Sequence, residues 1–113
     1  MPKHSGLRSV ALTALLACGG VSWSSEPGTG QWLLETCRGD YGGDGRAFCV
    51  GYAMGLADLM LGQQRICMSS DVTSEQIRMT VEDYLTRQPE QLQQHPVLLV
   101  IRALETRFPC AER

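Results

Sequence analysis

Past residue 24 the chain carries four cysteines, Cys37, Cys49, Cys67 and Cys110, and one histidine, His95. Thiols serve as nucleophiles, as metal ligands or as halves of disulfides. No Cys-x-x-Cys pair occurs, and zinc needs four ligands at short spacings, so a metal site is excluded. An even set of cysteines in a short chain reads instead as a disulfide framework. Oxidised sulfurs leave no thiolate for nucleophilic catalysis. His95 stands directly before Pro96, where it suits a helix cap or the surface better than a general base. Asp40 and Asp44 lie in a glycine-rich stretch. They lack the alternating oxygen ligands and closing glutamate of a calcium loop, so they read as a solvated turn. Asp58 interrupts an apolar run; a buried carboxylate needs a partner, so it is expected to pair with an arginine or to cap a neighbouring helix. No catalytic constellation forms from these residues. The expectation is a protein that is not an enzyme, with no cofactor, no bound metal and no small-molecule substrate.

The elements that must position these residues are few. The chain has 113 residues, one domain at most. Its start reads as an export signal over residues 1–24: Lys3, His4 and Arg8 are positive, and an apolar run from Val10 to Ala17 follows. That run is about half the length that spans a bilayer. Ser22-Trp-Ser24 offers a cleavage site before Ser25, giving soluble release. Leu15-Leu-Ala-Cys18 resembles a lipobox, in which Cys18 would carry a lipid anchor. From Ser25 onward there are eight arginines, no lysine and twelve acidic residues, a net charge of −4. The arginines are scattered, which excludes nucleic acid as a partner.

About 89 residues follow the signal, too few for a large core, and such domains commonly need staples. Residues 25–30 read as a mobile leader before a helical domain over 31–113. A short helix is expected over 31–37, then a glycine loop over 38–45. A second helix over 46–62 is apolar on nearly every side, so it is expected to be surrounded by others. Its Gly51 and Gly55 would let a neighbouring backbone come close, and Gly62 would terminate it. Thr73 and Gln76 form a capping box for a third helix. Ile77, Val81, Tyr84 and Leu85 make its apolar stripe, with Arg78, Glu82 and Arg87 off that stripe. Pro89 ends it. After a polar connection carrying Leu92, Pro96 opens a fourth helix that runs to Phe108. Residues 97–101 could form a strand on local propensity alone, but the following Arg-Ala-Leu-Glu-Thr-Arg favours helix. The fold class is all-α: a small four-helix bundle stapled by two disulfides.

Each cysteine falls at or near a helix end. Four cysteines allow three pairings. Cys37–Cys49 would fold the glycine loop back and pin the first helix to the second. Cys67–Cys110 would clamp the chain terminus to the segment before the third.

The ordered set Cys49-Val-Gly-Tyr-Ala-Met-Gly55, Asp58, Cys67, Val72-Thr-Ser-Glu-Gln76, Tyr84-Leu85, Pro89-Glu90, Leu99-Val100, Ala103-Leu104 and Phe108-Pro-Cys110 resembles the Rap/Tai family of type VI secretion immunity proteins. The resemblance spans residues 31–110. One departure is Met68-Ser69, where relatives commonly place Ile-Pro or Leu-Pro; it alters a loop and not the core. The family implies a small periplasmic helical protein with disulfides, often a homodimer. Its partner is a cognate secreted effector, a cell-wall hydrolase of the peptidoglycan amidase type, whose groove the inhibitor enters with exposed helix and loop residues. By resemblance the partner-binding positions are Glu82, Gln88, Glu90, Gln91 and Gln94. The alternative reading is a periplasmic acid-stress-type chaperone or an envelope structural protein, because one fold serves several roles.

Overall fold

The computed structural model describes residues 27–111. Among the described residues, four α-helices follow in order: α1 (Gly30–Arg38), α2 (Gly43–Gly62), α3 (Ser74–Arg87) and α4 (Pro96–Arg107). A single 3-10 turn (Pro89–Gln91) joins α3 to α4. The signal reading of residues 1–24, with its competing sites at Cys18 and Ser25, lies outside the described residues.

Each helix begins and ends for a local reason. The Thr29 hydroxyl accepts from the Trp32 amide at 3.1 Å and caps α1. Gly39, at φ 86°, closes α1 in the left-handed conformation, and the following Asp40 amide returns to Glu35 O at 3.0 Å. Thr73 and Gln76 form the expected reciprocal capping box on α3, at 2.8 and 3.1 Å. His95 Nδ1 accepts from the Val97 amide at 3.3 Å, and Pro96 occupies the first turn of α4, so His95 is a helix cap. Residues 97–101 are helical.

The two disulfides are Cys37–Cys49 and Cys67–Cys110. The first joins the end of α1 to the first half of α2 and is wholly buried. The second ties the segment after α2 to the segment after α4, where the Cys67 N–H also donates to Phe108 O at 2.9 Å.

The core lies where the inner faces of all four helices meet. Leu33 and Leu34 enter from α1, Ala53, Ala57 and Met60 from α2, Ile77, Val81 and Leu85 from α3, and Leu99, Val100 and Leu104 from α4. Leu92 anchors the connection after α3.

Gly30, read from sequence as the last leader residue, is the buried first residue of α1. Its amide and that of Gln31 donate to Gln94 O and Leu92 O, both at 2.9 Å. A Cβ at Gly30 would collide with Leu99 Cδ1 and stand 3.2 Å from Leu92 Cα and O. Gly30→Ala is therefore expected to lower stability by about 1–3 kcal/mol, through overpacking against backbone. Urea unfolding of the variant checks this; unchanged stability would mean that the connection yields.

Five sequence expectations are corrected here. Helix α2 starts at Gly43, so Gly43 and Gly45 belong to its first turn and not to the loop. Glycine is tolerated there because first-turn amides lack intrahelical partners anyway, and Asp44 favours the positive helix end. Gly62 is not the terminator. The left-handed closing residue is Gln64, at φ 60°, and the Arg65 amide returns to Met60 O at 2.9 Å. Helix α2 is not surrounded: its other three helices cover one side only, and Phe48 and Leu59 are about half exposed. A Cβ at Gly51 or Gly55 meets nothing within 4 Å, so these glycines admit no neighbour inside the domain. Asp58 lies on that same outer face, exposed and without an ion pair among the described residues, because the helix stripe it shares is never covered.

Candidate functional site

The polar connection between α3 and α4 and the helix surfaces flanking it form the candidate recognition surface. Its rigidity comes from one arginine. Arg102 Nη1 donates to Gln91 Oε1 at 3.0 Å and to Gln94 Oε1 at 2.8 Å. Gln91 Nε2 in turn donates to Gln88 Oε1 at 3.1 Å. With Leu92 buried and the backbone oxygens of Leu92 and Gln94 taken by α1, the segment is fastened from both sides. A polar loop held in this way loses little conformational freedom on binding a partner.

The five positions expected to contact a partner are thus placed as follows. Gln88, Gln91 and Gln94 sit together in the Arg102-centred network, and Glu90 is exposed on the 3-10 turn between them. Glu82 stands apart. It accepts from Arg78 Nη1 at 2.5 Å, and its side chain is 30% exposed.

Like Asp58, Arg78 lies where the sequence reading did not expect it. Expected off the apolar stripe, it is only 7% exposed. Its guanidinium reaches Glu75 at 2.6 Å, Glu82 at 2.5 Å and the backbone oxygen of Cys37 at 2.7 Å. It thereby ties α3 to the end of α1 beside the buried disulfide. The flanking glutamates at i−3 and i+4 were the available signal, since that spacing places both carboxylates over one guanidinium. The arginine fork suits three acceptors at once.

The hydrogen bond from Arg78, assisted by its charge, holds the Glu75 carboxyl below the ordinary carboxylate range. A carboxyl whose folded-state pKa is depressed contributes stability above its unfolded value, about 4.3. That contribution disappears as pH falls through the lower folded value. Glu75→Gln should therefore flatten the acid limb of the melting temperature against pH. An acid limb identical to that of the unaltered protein would remove Glu75 from the account. Elsewhere, the bond to Glu35 at 2.7 Å raises the Tyr41 pKa, and burial raises that of Tyr52.

On the opposite side of α3 a groove of about 560 Å³ runs between α3 and α4. It ends at Arg87 and Gln88 and is therefore continuous with the polar connection. On α2, Trp32 of α1, Phe48 and Tyr52 form an aromatic row, with ring centroids 5.5 and 5.8 Å apart. Neither the groove nor this outer face was foreseen from sequence. No group of three or more potential metal ligands occurs among the described residues, and no described helix is long and apolar enough to cross a membrane.

Taken together, these features define a small all-α domain, fastened by two disulfides, that offers a rigid polar loop, a groove and an apolar helix face for contact with other molecules. The chain belongs to the Rap1a immunity proteins, whose family model matches residues 29–110. That membership indicates a binding role. Neither a curated protein nor a solved structure matches the chain.

Proposed function

We propose that this protein is a periplasmic immunity protein that binds and neutralises a type VI secretion effector, a peptidoglycan amidase. The family match over residues 29–110 carries the reading. The two disulfides support it, because such bridges persist in oxidising compartments. Export would use residues 1–24 as a removable signal, with release before Ser25 or anchoring through a lipidated Cys18 as the two outcomes. The helical immunity domain would begin at Thr29, the cap of α1, and extend to residue 113.

Recognition would use the connection after α3. Gln88, Glu90, Gln91 and Gln94 present amides and a carboxylate at fixed positions, and Glu82 extends the surface along α3. A protein in this role works by occupying the effector's groove, so it needs shape and hydrogen-bonding groups and no chemistry of its own. The test is direct. Purified protein should bind the cell-wall hydrolase encoded beside it and stop that enzyme from cleaving peptidoglycan stem peptides. Hydrolysis that proceeds unchanged at saturating concentrations would sink the reading.

The uncovered face of α2 supports a homodimer as the working form. Gly51 and Gly55 each cost about 1 kcal/mol relative to alanine in a helix interior, and no contact inside the domain offsets this. Two such faces packed against each other would bury Phe48 and Leu59, with the glycines allowing close approach. Leu59→Glu, which alters no core contact, should convert the dimer to a folded monomer in sedimentation experiments. A monomeric unaltered protein would refute the pairing.

A further inference from the structure

We infer that the groove between α3 and α4 seats a projecting segment of the bound effector in which an apolar side chain lies next to a carboxylate. This rests on the immunity reading and specifies the chemistry of the partner.

The groove has an apolar base and a biased charge. Val72, Met79, Ala103 and Phe108 line it, and Met79 is 54% exposed although apolar. The two threonines on its walls offer little competition for a ligand: Thr80 donates to Gln76 O at 2.8 Å and Thr106 to Arg102 O at 2.7 Å. Tyr84 also lines the groove, and its hydroxyl makes no hydrogen bond among the described residues. An aromatic ring with an open hydroxyl is a common anchor at protein interfaces.

Three charged side chains face the groove. Asp83 is matched by Arg87 at 3.0 Å. Arg107 has no carboxylate partner among the described residues; its guanidinium lies 5.1 Å from the Phe108 ring centroid. The excess in the groove is therefore positive, on a chain whose net charge is −2. An acidic group on the partner would complement Arg107 and be repelled by most of the remaining surface, which fixes register. About 560 Å³ exceeds what one side chain or one small anion fills, and on the immunity reading the occupant is a polypeptide segment. One unpaired arginine is also too little to hold an anionic membrane, where each basic residue contributes about 1 kcal/mol.

The experiment selects binders from a random heptapeptide display library on the oxidised, exported protein. Enriched peptides should combine a Leu, Ile, Met or Phe with an Asp or Glu within two positions. Met79→Arg and Arg107→Gln, both surface changes, should each weaken a selected peptide by about tenfold or more, the loss expected for one charge-assisted contact or one buried side chain. Peptides without an acidic residue, or binding untouched by both substitutions, would overturn the inference. Loss of self-association in Met79→Arg would also overturn it, by assigning the groove to a second copy. Peptide selection needs no effector, so it is decided independently of the immunity reading. Should the unaltered protein inhibit a hydrolase and Met79→Arg inhibit it equally, the groove is excluded and the immunity reading stands.

Discussion

Replacing Cys37 and Cys49 together by alanine is expected to lower the unfolding free energy by about 5 kcal/mol, more than the loss from replacing Cys67 and Cys110. Loop closure alone ranks the two bridges the other way. Their sequence separations are 12 and 43, which correspond to roughly 3 and 4 kcal/mol of denatured-state constraint. Burial reverses the order. Cys37 and Cys49 are 0% and 1% exposed, whereas Cys67 is exposed and Cys110 partly so. Removing a buried sulfur leaves a methylene-sized void on each side, worth about 1 kcal/mol each. A domain of this size has a total stability of roughly 4–13 kcal/mol, so this loss takes a large share of it. Urea unfolding of both double variants checks the ranking, which is wrong if Cys67→Ala/Cys110→Ala proves the weaker protein. Accessibility adds a second readout: mild reductant should open Cys67–Cys110 first, because a thiolate must reach the sulfur it attacks.

Arg78→Met is expected to cost about 2–4 kcal/mol, with Arg78→Lys recovering only part of the loss. The methionine leaves the Cys37 carbonyl unpaired inside the domain, a penalty of about 1–3 kcal/mol. It also strands Glu82, which is largely covered, while Glu75 is 58% exposed and returns to solvent at little cost. Lysine restores the charge but not the fork that serves three acceptors. The substitution should be non-additive with loss of the Cys37–Cys49 bridge, because Arg78 bonds the backbone of Cys37 itself. Denaturant titration of the single and combined variants tests both points. A loss below about 0.5 kcal/mol for Arg78→Met, the range of an ordinary surface change, would contradict the role.

The helices and their caps were legible because each rests on a local signal. Thr73 with Gln76, Pro96 after His95 and Pro89 after α3 act within a few residues of themselves. The positions of the cysteines relative to helix ends favoured Cys37–Cys49 and Cys67–Cys110 among three possible pairings, and these are the pairs formed. What escaped notice depends on which face of a helix its neighbours cover. Helix α2 is apolar all round, so its pattern does not say that Ala53 faces inward and Gly55 outward. Asp58 was taken as buried for the same reason. Arg78 was set aside as surface because a lone arginine between apolar positions carries no sign of the Cys37 carbonyl, which lies 41 residues away in the chain. The groove between α3 and α4 arises from the packing of two helices and has no local signature. Of the proposed recognition positions, the glutamines after α3 were visible as a polar run. That Arg102 holds two of them in place required the fold.

The most direct measurement is survival in co-culture. Cells deleted for this gene are mixed with neighbours that deliver the matching effector, with and without a plasmid copy of the gene. An immunity protein predicts that the deleted cells lyse and that the plasmid copy restores survival. Equal survival of deleted and complemented cells under active delivery would contradict it.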